Sequence, residues 1–188
     1  MKNRNTKFGI YTLVTFLFTA LLSCGQSSNN TNEKAAGAPD VDIHTAVISG
    51  NLDVVKQHIE AGSDLNAPDP FGGSSPLITA SLFGQPEIAK ELLDAGVKVN
   101  FTNNEGSTAL HTAAFFCKKE MVHLLIMNGA DKSIRNNYGA TALESVAGPF
   151  ADVKPIYEMM KQQLSPMGVK VDMEYIEKTR PEIVTILQ

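Results

Sequence analysis

Tryptophan is missing from this 188-residue chain, and cysteine and histidine are scarce, with two and four copies. Cys24 follows an apolar run and Cys117 lies far along the chain, contexts too different for a disulfide framework. Long apolar runs are also lacking. The one conspicuous stretch, Phe8 to Leu22, is about 15 residues, short of the roughly 20 that a spanning helix needs. Nor is there an excess of positive charge, since 16 basic side chains face 20 acidic ones. Three of the basic residues, Lys2, Arg4 and Lys7, fall in the first 23 positions, which hold no acid. Without that segment the balance is 13 basic to 20 acidic, or −7, and phosphates would be repelled, which argues against a nucleic-acid partner. A phosphate-cradling loop is absent too: Gly72-Gly73-Ser74-Ser75 lacks the lysine and the preceding strand.

What is present is a repeated helix pair. In Gly106 to Asp131, Thr108 is a fitting N-cap, because its hydroxyl can accept a first-turn N–H. Leu110, Ala113 and Ala114 follow at helical spacing, with alanines small enough for a second helix to approach. After a turn at Cys117–Lys119, residues Met121, Val122, Leu124, Leu125 and Ile126 form a broader apolar face, ended by Asn128-Gly129. Such a unit has more apolar face than it can bury alone.

Copies recur along the chain. A step of 33 residues carries Leu110, Ala113 and Gly129 back to Leu77, Ala80 and Gly96, and a further step of 34 reaches Ile43, Ala46 and Gly62. In the forward direction, Thr141-Ala142-Leu143 repeats Thr108-Ala109-Leu110. The openings Ser75-Pro76-Leu77-Ile78-Thr79-Ala80 and Thr108-Ala109-Leu110-His111-Thr112-Ala113, at this period, resemble ankyrin repeats. The resemblance implies an all-α solenoid of about four helix pairs joined by β-turn fingers. It places units at 42–74, 75–107, 108–140 and 141–164 within a repeat region of 40–164. Either Asp40 or Asp42 should cap the first helix, and His58, where later units have Leu92 and Leu125, fits a unit with one face in water.

Unit four departs from the pattern after Leu143. A helix over 153–164 with Pro155 in its first turn is expected, then a loop, then two helical pieces. Asp172 would cap the first of these, and Thr179 and Glu182 have capping-box spacing before the second. Residues 165–188 read as a helical cap over the last repeat. The match of Glu182-Ile183 and Leu187 to Glu87-Ile88 and Leu92 leaves a degenerate fifth unit as the alternative.

Residues 1–23 have the positive front and apolar core of a signal peptide. The ending Leu21-Leu22-Ser23-Cys24 resembles the lipobox of bacterial lipoproteins, which implies cleavage before Cys24 and its acylation. The other reading is an ordinary signal peptide with an incidental cysteine. Residues 24–39, rich in Ser, Asn, Gly and Ala, form a flexible tether. In enterobacterial lipoproteins an Asp after the lipidated Cys retains the protein in the inner membrane. Gly25 stands there in this chain, so the expected location is the cell envelope, lipid-anchored, leaning to the outer membrane.

No catalytic, cofactor or metal site is expected. His44 and His111 take the motif's fourth position, where the resemblance implies local and neighbouring-repeat hydrogen bonds, while His123 reads as a solvated face residue. Cys117 replaces the turn glycines Gly50 and Gly84 and reads as a small filler without an activating base. The positions that packing does not explain are Ile48-Ser49, Leu82-Phe83 and Phe115-Phe116, which precede the inner turns, with Phe150 displaced by one residue. Phe83 and Phe116 either line an open groove or are covered by the C-terminal segment or the loops. Phe71 and Tyr138 mark the finger turns. Partner-binding candidates are therefore Phe83, Phe116, Leu82, Phe115, Phe71 and Tyr138. The function expected is a membrane-tethered protein-interaction module with an envelope protein as partner and no small-molecule substrate. The alternative is an accessory or inhibitor subunit of a periplasmic enzyme.

Overall fold

The computed structural model describes residues 37–188. The expected signal peptide, the expected lipidation site Cys24 and most of the expected tether lie outside the described residues. Four helix pairs follow one another in two rows. The inner row holds α1 (Ile43–Ile48), α3 (Pro76–Phe83), α5 (Ala109–Phe115) and α7 (Glu144–Ala147). Beside it runs an outer row of α2 (Leu52–Glu60), α4 (Pro86–Asp94) and α6 (Lys119–Met127). Each inner helix packs on the next inner helix and on its own outer partner. Among the described residues there are no strands, and no helix is long and apolar enough to cross a membrane.

Local chemistry starts each inner helix. Asp42, rather than Asp40, caps α1 by accepting the Thr45 N–H at 3.0 Å. Ser75 does the same for α3, and Thr108 and His111 form a reciprocal capping box on α5. Thr141 and Glu144 exchange the equivalent pair of bonds at 3.2 and 2.9 Å, so the fourth unit begins like the others.

Packing then follows the repeat. Leu77 and Leu110 are each 1 % exposed in equivalent slots, and Leu143 packs half-buried against the same continuous core. Ala46, Ala80 and Ala113 are wholly enclosed where the inner helices approach most closely. At the first two inner turns Gly50 and Gly84 adopt φ of 69° and 67°. A side chain of the next unit lies over each turn. The Gln85 amide is 3.5 Å from where a Cβ on Gly50 would sit, and Lys118 Cδ is 2.9 Å from the same position on Gly84. Cys117 takes the third turn at φ 53° despite its side chain, a conformation that costs about 1–2 kcal/mol for a non-glycine residue. Its thiol is fully enclosed, and burial pushes its pKa up to about 11, so it is inert filler rather than a nucleophile.

The C-terminal region corrects three expectations. The helix after Leu143 is α8 (Phe150–Leu164), which begins a turn earlier than expected and carries Pro155 inside it. Ala151, whose carbonyl loses its partner to Pro155, is exposed, so water can serve it. The last helix, α9 (Met173–Leu187), is unbroken, with Asp172 as its cap. Thr179 caps nothing and is buried in mid-helix, because packing of Ile176 and Ile183 on the same face holds the chain helical across Pro181.

The third correction concerns what α9 is. It packs against α6 and α7, so it takes the outer-row place of the fourth unit. Pro181-Glu182-Ile183 repeats Pro86-Glu87-Ile88 there, and Lys119 bridges to Glu182 at 2.8 Å, as Lys56 of α2 bridges to Glu91 of α4 at 3.3 Å. Arg180, the counterpart of Gln85 and Lys118, is close enough to Cys117 for its charge to be felt by the thiol. The C-terminus is thus neither a separate cap nor a fifth unit. It is the missing half of unit four, reached after an inserted segment made of α8, a 3-10 turn (Ser165–Met167) and a loop.

If α9 is a true outer helix, Ile183→Ala should cost about 3 kcal/mol in urea unfolding, matching Ile88→Ala. Both side chains are nearly inaccessible, at 0 % and 3 % exposed. A loss under about 1 kcal/mol at Ile183 alone would mark α9 as a loosely docked tail.

Candidate protein-binding surface

The finger turns are built by a repeated side-chain device. Asp69 accepts the N–H groups of Phe71 and Gly72, both at 2.8 Å. Asn103 accepts those of Glu105 and Ser107, and Asn136 those of Tyr138 and Ala140. Gly73, Gly106 and Gly139 close the three turns with positive φ. The fingers are then tied in series. Asn104 N–H donates to Gly72 C=O at 3.0 Å, and Asn137 N–H to Glu105 C=O at 2.8 Å. The Asn137 amide also reaches Asn104 C=O at 3.0 Å. A Cβ on Gly73 would meet Asn104 Oδ1 at 2.4 Å, so glycine is required where the next finger lies across it.

Histidines anchor this row to the helices. His44 Nε2 bonds Ala67 C=O at 2.9 Å and His111 Nε2 bonds Ala140 C=O at 3.1 Å. Thr108 N–H donates to His111 Nδ1, so Nε2 carries the proton and the ring is neutral. Burial lowers the His111 pKa and favours that state. His123 is exposed on α6. His58 is not facing water: it is 6 % exposed, with Nδ1 to Ser63 Oγ and Nε2 to Val41 C=O, because the segment before α1 folds over it. Among the described residues no group of His, Cys, Asp or Glu could hold a metal ion.

The concave candidates divide into two sets. Ile48 is exposed, and Leu82 and Phe83 are half-buried at the open end of the inner row. Phe115 and Phe116 are covered. Tyr157 of α8 stacks on Phe115 with ring centres 4.7 Å apart, and Phe116 is 8 % exposed, edge-on to Phe115 at 5.3 Å. Tyr157 Oη donates to Phe115 C=O at 2.6 Å and accepts from Arg180 at 3.0 Å, while Arg180 also donates to Gly148 C=O. An open Phe83–Phe116 ladder therefore does not form, since the inserted helix supplies a second small core there. Phe150 lies 6.0 Å from Tyr157 in the same cluster. Of the finger aromatics, Phe71 is 61 % exposed and Tyr138 is half-buried.

Glu105 lies in the second finger turn, Asn103-Asn104-Glu105, but residue type did not single it out among the partner-binding candidates. It occupies the same finger position as Gly72 and Tyr138. Burial raises its pKa to about 7, and its charge in turn adds to the upward shift of the Tyr138 hydroxyl, which is due mainly to burial. The only sequence signal was an acid in a turn position that elsewhere holds Gly or Tyr.

Two outcomes follow. Phe116→Ala should cost about 3 kcal/mol in chemical denaturation, whereas Phe83→Ser should cost about 1 kcal/mol and leave one cooperative transition. Equal losses would place both side chains in the core. For Glu105, a folded-state pKa raised from 4.5 to about 7 means that the folded protein holds the proton more tightly. Its contribution is fully present below the unfolded value and is lost as pH rises through about 7. Glu105→Gln should therefore melt some 2–4 °C above the parent at pH 8 and together with it near pH 4. Identical melting at both pH values would show a solvated carboxylate.

Comparison with known proteins agrees with this architecture. A family model described as "Ankyrin repeats (3 copies)" matches residues 43–145. Human protein phosphatase 1 regulatory subunit 27 is 39 % identical over 64 residues, 34 % of this chain and 41 % of that protein. The human DNA-binding protein RFXANK is 38 % identical over 72 residues, 38 % of this chain and 27 % of that protein. Among solved structures, the ankyrin repeat domain of Bcl-3 superposes with a TM-score of 0.53 at 34 % identity, covering 55 % of this chain and 45 % of that one. The chain spans less than half the length of each of these proteins. With the family model covering more than half of its residues and the helix rows stacked accordingly, this chain belongs to the ankyrin-repeat family.

Proposed function

We propose that this protein is a membrane-tethered protein-interaction module, held at a bacterial envelope membrane through acylated Cys24 and binding an envelope protein. Its recognition surface is the finger row with Phe71, Glu105 and Tyr138, continued by Ile48, Leu82 and Phe83 at the open end of the inner row. The observation that carries the reading is the finger row itself. Its backbone groups are satisfied within and between fingers, so a partner meets preordered side chains and little ordering entropy is lost on binding. Beside it Ile48 and Phe71 are exposed, and Leu82 and Phe83 pack on the core with part of their apolar surface left open. A tether of residues 24–39 reaches at most about 55 Å, so partners bound to the same membrane would be met at high effective concentration. Nucleic acid, small-molecule substrates and catalysis form no part of this reading.

Relatives named as protein phosphatase 1 regulatory subunits favour a second reading, in which the bound partner is itself an envelope enzyme that this protein assists or inhibits.

Capture of the full-length protein from cross-linked membranes, followed by mass spectrometry, tests both. A specific envelope protein should be retained by the parent and reduced about tenfold or more by Leu82→Glu with Phe83→Ser, the loss of two central contacts. Cys24→Ala should move the protein from the membrane to the soluble fraction. Retention of every captured protein by the double variant would remove the concave face from the reading. A captured enzyme whose turnover changes on adding this protein would favour the second reading.

A further inference from the structure

We propose that Glu105 is a receptor for a cationic side chain, a lysine or arginine, carried by the partner segment that lies along the finger tips. This rests on the interaction-module reading above and names the partner's chemistry at one point of it.

Several other acids already have partners. Asp69 accepts three amides of its own finger, including that of Ser74. Glu144 takes Arg135 and the Thr141 N–H, Asp131 takes Ser133, Glu182 takes Lys119, and Glu91 takes Lys56. Glu105 differs. Its backbone N–H and C=O are both engaged, yet among the described residues its carboxylate accepts no hydrogen bond and meets no cation. It is also half-buried, so water compensates it only in part.

The surroundings narrow what can satisfy it. The titratable group facing it is Tyr138 of the next finger, a neutral hydroxyl, and Arg135 of that finger is occupied by Glu144 and Gly139 C=O. Asp69 of the preceding finger is consumed internally. A metal ion would need further ligands, and no such group exists among the described residues. A cation delivered by a partner would supply both the missing hydrogen bonds and the opposite charge, in a setting where such pairs are stronger than in water. The residue's backbone is fixed on either side by the Asn103 side chain and the Asn137 N–H, so the carboxyl group starts from a constant position on the finger. Tyr138 adds an aromatic neighbour to the same subsite. The acidic balance of −7 beyond the signal segment steers basic segments toward the surface as a whole.

The test uses the full-length chain in detergent and two capped peptides, Ac-Ala-Phe-Lys-Phe-Ala-NH2 and its norleucine counterpart, which keeps the stem and loses the charge. Binding is followed by NMR shifts and calorimetry. The lysine peptide should bind, shift the Glu105 and Tyr138 resonances, and exceed the norleucine peptide about tenfold at pH 8. Because only the ionised carboxylate attracts the cation, affinity should rise about tenfold between pH 6 and pH 8 in the parent and stay flat in Glu105→Gln. Equal binding of the two peptides, a pH dependence that survives in Glu105→Gln, or no binding of the lysine peptide at millimolar concentration would each overturn the proposal. The two readings fail separately. A partner captured from membranes that is lost on changing Leu82 and Phe83 but indifferent to Glu105→Gln would leave the interaction module standing and remove only this subsite.

Discussion

Everything in this molecule depends on helix pairs that cannot bury their apolar faces alone. Each inner helix is short, and its close approach to the next rests on alanines, Ala46, Ala80 and Ala113, that leave no exposed surface. Larger side chains there would push the rows apart and open voids along the whole stack. The outer helices need neighbours on the same principle: Ile88, Leu92, Met121 and Leu125 are covered only because another unit follows. Stability is therefore shared between adjacent units, and the chain must provide something to end the row.

The ending found here is a split repeat. The fourth unit starts with a proper capping box, breaks off after Ala147, and resumes its outer helix only at α9. The inserted segment enters at the turn between inner and outer helices, so it need not separate the stacked faces. Its helix α8 buries Val153, Ile156, Tyr157 and Leu164, and Tyr157 lies on Phe115. Arg180 ties three parts together through Tyr157 and Gly148, with its stem in the row that Gln85 and Lys118 begin. The insertion closes the inner face at this end, leaving the first two units and the fingers as the accessible region.

Helices and fingers divide the work between them. The helices supply apolar area, whereas the fingers bury little and are ordered by hydrogen bonds from Asp69, Asn103 and Asn136 and by the backbone links between turns. Such turns hold their shape while their outward side chains remain free to differ. Gly72, Glu105 and Tyr138 vary in chemistry at one position of a constant frame for that reason.

Period, caps and turn glycines were legible in the chain because each depends on a few neighbouring residues: Thr108 and His111, Gly84, and the recurrence of Leu77 at Leu110 all follow from local backbone chemistry repeated at fixed spacing. Thr179 was misleading for the same reason, since capping spacing is a local signal and burial of Ile176 and Ile183 outweighs it. His58 was misplaced because sequence shows that a unit is terminal but not that the Val41 carbonyl folds back to meet it. Residue spacing determined that this is a repeated helix pair, and the resemblance it carries to ankyrin repeats implied the stacking, the fingers and the side chains of the inner face. Only the tertiary structure decided that α8 lies over Phe115 and Phe116, that α9 completes the fourth unit, and that Glu105 has no partner among the described residues. Those outcomes depend on contacts between segments far apart in the chain, and periodicity gives the direction a side chain points without giving what lies beyond it.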